Sequence, residues 1–522
     1  MSGRTIQMRP RPHLRQLTFV ALAVLTMFGA GTAEAAPPKG GVANLAMIAE
    51  PQSLDPMSTT ADLTATIMQH VYESLYTFDS GWNIRPMLAD KLPKVSADGL
   101  TVEIPLRKGV KFHNGREMKS DDVVASLKRW MDLAPRGKAL AKGGATVDAK
   151  GPYTVVFKLT TPVPALLAHL AMPSGFAAIM AKETLANPLK EYVGTGPYKF
   201  KERKPDQYVL LVRNDAYSAR SEKGDGYAGK REALLDELRF VPVPNANTRV
   251  EGSLSGQYDF ADVLPVEAYT RLDKQPKVEP LLTKPFGFPY VVLNTKAGVL
   301  AKKEMRQAVL EALNMTEMMT AGFGDPKFFS VEGNHYPKGS LYYSTAGTDK
   351  YNTGDPKKAA AMAAAAGYKG EPIRIMTSKQ YEFHYRIALV MSENLKKAGF
   401  KTDVQVVDWA TLVQRRGDPA LFDMFTTHSP FLPEPTLTPP QLGDGAPGGW
   451  QTPAKDEALK AFNAESDLKK RGPLWGKVQA VVYDEVPYIK VANFNGLTAR
   501  AKRLEGYTPM PWPSFWNTGI KK

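Results

Sequence analysis

The chain has 522 residues, 43% of them hydrophobic and 23% charged, which suits a soluble globular protein but is too long for one compact core, so two or more lobes are expected. It has no cysteine, which excludes disulfides and a lipid anchor on a cysteine. The formal charge of +14 falls by three without residues 1–35 (four Arg, one Glu), to +11, and the dispersed Lys and Arg form no basic–aromatic stripe of the kind that binds nucleic acid.

Residues 1–35 read as a cleavable secretory signal. Arg4, Arg9, Arg11 and Arg15 precede an apolar run at 17–28, too short for a comfortable membrane span, and Ala33-Glu34-Ala35 gives an A-x-A cleavage pattern. No other span is visible, so the mature chain is expected to be periplasmic. Beyond it, Val102, Ile104 and Leu106 alternate, as do Val155, Phe157 and Leu159, and both runs predict half-buried strands. Between them Ser120 is placed as the cap of a helix with Asp121 and Asp122 in its first turn and Val123, Leu127, Trp130 and Met131 on one face. Residues 198–212 read as a hairpin turning at Lys204-Pro205-Asp206. Helices are predicted over 303–313, from the Asp355-Pro356 cap to Gly367, and over 380–398 to a stop at Gly399; alternating Val404 and Val406 then predict a strand. This order argues for an α/β lobe in the second half.

The segments PQSLDP (51–56), VYESLYTFDSGWNIRPMLADKLPKVSADGLTVEIPLRKGVKFHNGREMKSDDVVASLKRW (71–130), VGTGPYKF (193–200), LNTK (293–296), MRQAVLEALN (305–314), AGY (366–368), LKKAGFKTDVQVVDW (395–409) and DEVPYI (484–489) stand in an order that resembles the family 5 extracellular solute-binding proteins of ABC importers. The resemblance covers nearly the whole mature chain. It implies a two-lobed periplasmic-binding-protein fold of the α/β class, with a hinge and an extra subdomain on the first lobe. The implied division is 36–90, 193–285 and 489–522 in the first lobe, 91–192 in the subdomain and 286–488 in the second lobe. It implies capture of a small peptide or peptide-like solute between the lobes, and delivery to transmembrane permease subunits driven by separate ATPases, with no cofactor and a monomeric state. A nickel chelate, an opine or an aromatic acid is the alternative solute, and docking of the loaded protein on a sensory partner an alternative role.

The resemblance also suggests site residues. Ser53 and Leu54 lie in a loop near the family's cleft. Thr195 and Gly196 offer either backbone approach to ligand or a turn entering the Tyr198 strand. Peptide binders commonly place an Asp just before an acidic-Pro pair; matching Glu434-Pro435 to that pair puts Phe431 at the Asp position, which argues against ordinary peptides, because an ammonium there would lack its partner. Phe286, Phe288, Tyr381, His384, Tyr385, Arg386, Trp409, His428, Trp450 and Asn495 complete the candidates. Arg386 offers a planar fork for a carboxylate, or a surface ion pair, and Trp409 either stacks on ligand or packs in a core. Arg306 reads as a structural ion-pair partner.

A hydrolase is the remote alternative. No HExxH helix, GxSxG elbow or phosphate-binding loop occurs, and GTGPY lacks the Lys and Ser/Thr of such a loop. His70, His113, His169, His335, His384 and His428 form no close pair in sequence, so no metal site is predicted.

Overall fold

The computed structural model describes residues 38–379, 381–437, 442, 446–465 and 467–521; the leader expected at 1–35 lies outside the described residues. Residues 1–36 and 37–522 are separate units, and every element described belongs to the second.

Ten strands run along one path of a twelve-stranded sheet: β1 (Val42–Met47), β2 (Tyr198–Lys204), β3 (Tyr208–Arg213), β4 (Glu237–Pro242), β5 (Phe260–Leu264), β6 (Val278–Leu293), β7 (Ile373–Thr377), β8 (Thr402–Val406), β9 (Met424–Pro430) and β10 (Asn493–Ala501). Their order is β8-β7-β9-β6-β10-β5-β1-β4-β3-β2. β1 pairs in parallel with β4 and β5, and β7 in parallel with β8 and β9. Each half of the sheet therefore holds a small parallel unit, β4-β1-β5 in one and β8-β7-β9 in the other, and the first half ends in the antiparallel strands β3 and β2. The hairpin expected at 198–212 forms as β2 and β3.

Two strands belong to both ends. β6 is 16 residues long. Val278 to Thr283 pair with β10, and Gly287 to Leu293 pair with β9. The ladder shifts register between Thr283 and Gly287, where Pro285 has no N–H to donate. β10 returns beside β5. The first half is thus assembled from separated stretches, and the chain passes between halves only through β6 and β10 among the strands of this path.

An extra layer carries its own four-stranded sheet, Lys94–Val95, Thr101–Pro105, Thr154–Lys158 and Thr146–Ala149, covered by the helix α1 (Ser120–Leu133). Val123, Leu127 and Trp130 of that helix are fully buried in the first-half core, as the spacing predicts. The cap differs from expectation. Lys119 is the extended N-cap residue, and Asp122 accepts its N–H at 2.9 Å. Ser120 is already helical, and its hydroxyl donates to Gly151 O instead.

The second half packs α2 (Lys303–Ala312), α3 (Met315–Phe323), α4 (Pro356–Ala365) and α5 (Glu382–Lys397) around β7. α4 starts where the cap and proline demand, with the Asp355 carboxylate accepting from Lys357 and Lys358 N–H. Gly399, at φ 83°, ends the α5 turn. Arg306 is a correction: its guanidinium donates to four carbonyls, of Leu300, Ala301, Glu485 and Val486, rather than to a carboxylate. An aromatic core around Phe462, Trp475 and Tyr336 completes this half.

Candidate functional site

In open α/β sheets, ligands gather beyond the carboxyl ends of parallel strands. Here those ends face one another across the seam. A cavity of about 660 Å³ is lined by Ile48 after β1, Pro244 after β4, residues 262–267 at the end of β5, and Tyr381, Glu382, Phe383 and Arg386 after β7. β6 and β10 form its floor through Thr283, Phe286, Phe494 and Asn495. Its volume lies within the range of small-molecule sites.

The walls are aromatic where they approach the floor. Phe286 and Phe494 meet at 5.6 Å, and Phe323 and Phe383 each pack on Phe494. Gly496 permits this arrangement, since a Cβ there would come within 2.6 Å of the Phe286 ring. The rim is charged. Arg386 pairs with Glu382 on its own helix at 2.7 Å and with Glu267 of the first half at 3.2 Å.

One segment of the first-half wall is strained. β5 is bulged between Ala261 and Leu264, and Val263 has φ 46°, an unfavourable conformation for a β-branched residue. Buried Arg249, on the helix Ala246–Ser255, holds this conformation by donating to the carbonyls of Val243, Pro244, Asp262 and Val263 at 2.7–3.0 Å. Asp262 lines the cavity, and its Oδ1 accepts the Val263 N–H at 2.9 Å. Burial pushes its carboxyl up to about 6, against the opposing pull of that N–H and of Arg249.

Of the residues singled out in the sequence, Phe286, Tyr381, Arg386 and Asn495 line the cavity. His384 and His428 sit behind Tyr381, 3.1 Å apart through His428 Nδ1 and His384 Nε2. Burial holds His428 down at about 4 and His384 well below the ordinary range. Tyr385 stacks under Lys379 outside the cavity lining. Phe288 is buried among Tyr290 and His335, and Trp450 is buried with its Nε1 donating to Glu485. Trp409 opens a short helix, and its side chain lies outside the described residues.

The two early loops are packing junctions. Leu54 is buried in the first-half core, and Ser53 Oγ accepts the Asp55 N–H. Thr195 is fully buried and donates to Glu73 at 2.9 Å, while a Cβ on Gly196 would fall 2.3 Å from His70 O. Phe431 lies between Trp82 and Tyr336, with ring centroids at 5.5 and 6.1 Å, and its N–H donates to Phe286 O. The next residues, Leu432 and Leu437, enter the first-half core, and Glu434 is buried in an ion pair with Arg471. This segment therefore stitches the halves together; Thr438 at its end lies outside the described residues.

Sequence reasoning missed Arg249, Asp262, Glu267, Phe323 and Phe494. The signal for Asp262 and Glu267 was their place just at and after the end of a strand, in YDFADVLPVE.

Residues 83–445 match the family described as bacterial extracellular solute-binding proteins, family 5. A probable peptide ABC transporter periplasmic-binding protein of Sinorhizobium fredii is 27% identical over 89% of this chain and 90% of its own. The oligopeptide-binding protein AppA of Bacillus subtilis is 27% identical over 92% and 91%. Among solved structures, the binding protein AgaA of A. tumefaciens R10 in complex with agropinic acid superposes with a TM-score of 0.75 at 25% identity, over 92% of this chain and 99% of that one.

Proposed function

The chain belongs to the bacterial extracellular solute-binding proteins of family 5, and from that premise we propose that it captures a small peptide-like solute with an apolar body, such as a modified amino acid, an opine or a short peptide derivative, in the cavity between its halves. The class is a non-catalytic transport component, so the cavity's task is to hold and release. The observation that carries the reading is the cavity itself: strand ends from both halves line it, and its floor is the pair of strands that joins them. A solute touching both walls stabilises the arrangement in which both sets of contacts exist, and β6 and β10 supply the bending point.

The packed environment of Phe431 supports a solute other than an ordinary oligopeptide. No carboxylate stands at that position, and Trp82 and Tyr336 occupy the space around it. We divide the chain into a first lobe of 36–90, 193–285 and 489–522, a subdomain of 91–192 and a second lobe of 286–488. Export by a cleaved leader at 1–35 and handover to permease subunits driven by separate ATPases complete the proposal. AgaA bound to agropinic acid and the peptide transporter relatives support the solute class.

The test is thermal unfolding of the mature protein against dipeptides, glutathione, opines, N-substituted amino acids, aromatic acids and a nickel–histidine chelate. A ligand at a hundred times its Kd adds about 2.7 kcal/mol to the folded state. Opines or substituted amino acids are expected to raise the melting temperature most. A rise with the nickel chelate alone sinks the peptide-like reading; an equal rise with unmodified oligopeptides sinks the role given to Phe431.

A further inference from the structure

We propose that Asp262 is the cation-recognition residue of the cavity, accepting a protonated amine or a guanidinium of the solute; this rests on the cavity being the solute site. The backbone that presents it is unusual. Asp262 lines the cavity from within a bulge of β5, next to Val263 at positive φ. Bulges recur where a strand must re-aim a side chain, and a β-branched residue held at positive φ costs about 1–3 kcal/mol unless its surroundings fix it. Arg249 does the fixing, with bonds to the carbonyls of both Asp262 and Val263. Val263 itself is 45% exposed, so the conformation is not compensated by burial of its side chain.

The charge balance points the same way. Glu267 and Glu382 are both paired with Arg386. Arg249 spends its N–H groups on carbonyls. Among the described residues no side chain donates to the Asp262 carboxylate, whose one partner is the N–H of Val263. Arg249 acts on this carboxylate only through its charge, so its hydrogen-bonding positions beyond the Val263 N–H are left for a cation from outside.

The experiment is native mass spectrometry of the mature protein with an equimolar mixture of amino-acid derivatives, opines and dipeptides, each supplied with its amine free and N-acetylated. The wild type is expected to retain free amines over acetylated partners at least tenfold. Asp262→Asn is expected to bring the ratio within about twofold at a melting temperature no lower than the wild type's, and Asp262→Glu to keep a preference. Solutes retained by the wild type without an amine preference, or a preference that survives in Asp262→Asn, overturn the role of Asp262 and leave the solute-binding reading standing. Retention of nothing by the wild type overturns both.

Discussion

Arg386 and Glu267 face each other over the rim of the cavity, Nη1 to Oε1 at 3.2 Å, one on the helix that follows β7 and the other on the turn that follows β5. Each belongs to a different half of the sheet. The pair thus exists only while the halves are close, and it gives Arg386 a protein carboxylate as partner across the seam.

Both partners are well exposed, so their coupling in a double-mutant cycle on stability is expected below about 1 kcal/mol. Its effect on binding is directional. Glu267→Gln loosens the near arrangement and is expected to weaken solute affinity by up to about fivefold, with the difference vanishing at about 0.5 M salt. Titration at low and high salt checks this. A gain in affinity on Glu267→Gln would instead make Arg386 a ligand clamp for which Glu267 competes.

The GTGPY loop is expected to govern stability rather than affinity. Gly194→Ala would place a Cβ 2.0 Å from Val71 O, and Gly196→Ala one 2.3 Å from His70 O. Neither backbone oxygen can yield, so both variants are expected to lose more than about 3 kcal/mol or fail to fold. Thr195→Val, which removes only the donor to Glu73, is expected to cost about 1–3 kcal/mol in urea unfolding and leave solute affinity unchanged. An affinity loss in folded Thr195→Val would return the loop to the site.

Phe431→Ala is expected to cost about 3–5 kcal/mol, because it opens a hole between Trp82 and Tyr336 at a junction of the two halves. Phe431→Asp is expected to cost more at neutral pH, since it buries a carboxylate among rings. Urea midpoints at neutral pH rank the two; an Asp variant as stable as the wild type would show that the position is open to solvent or ligand.

Acid lability is expected from the histidines. Burial lowers His70, His169 and His335 to about 3 and His113 and His428 to about 4, with His384 well below its usual value. With each folded value below the unfolded value of about 6.5, the unfolded chain takes up protons first, so stability present above about pH 6.5 is lost as the pH falls below it. Each group contributes a slope of about 1.4 kcal/mol per pH unit between its two values. Asp62 and Asp262, both raised by burial, act in the opposite sense over part of the window. Urea unfolding from about pH 7.5 to about pH 5 is expected to show a net fall in stability, made shallower by His169→Leu. A flat profile would contradict the buried-neutral assignment.

Much of the fold was legible because its signals are local. Asp355-Pro356 starts a helix wherever it falls in the chain, since the capping carboxylate and the fixed φ act within one turn. The alternation of Val155 and Phe157 and the helical spacing of Val123, Leu127 and Trp130 mark buried faces for the same reason. Ser120 shows the limit of such reading: two neighbouring residues can each serve as cap, and contacts with Gly151 decided between them.

The cavity was only partly legible. Phe286, Tyr381, Arg386 and Asn495 were in view, but Asp262, Glu267, Phe323 and Phe494 were not. Thr195, Leu54, Phe431 and Trp450 read equally well as ligand contacts or as packing, because an aromatic or a glycine loop has the same sequence signature in both roles.

The sequence by itself determined the family, the α/β class and the course of several elements, such as the helix that starts at Asp355-Pro356, all of which depend on interactions within a few residues or on the order of motifs along the chain. Tertiary structure alone decided which side chains share the cavity. Ile48, Asp262, Phe286, Arg386 and Asn495 meet there because β6 and β10 run through both halves and bring distant strand ends together, and the conformation of Val263 depends on the guanidinium of Arg249, a bond between elements that no local pattern encodes.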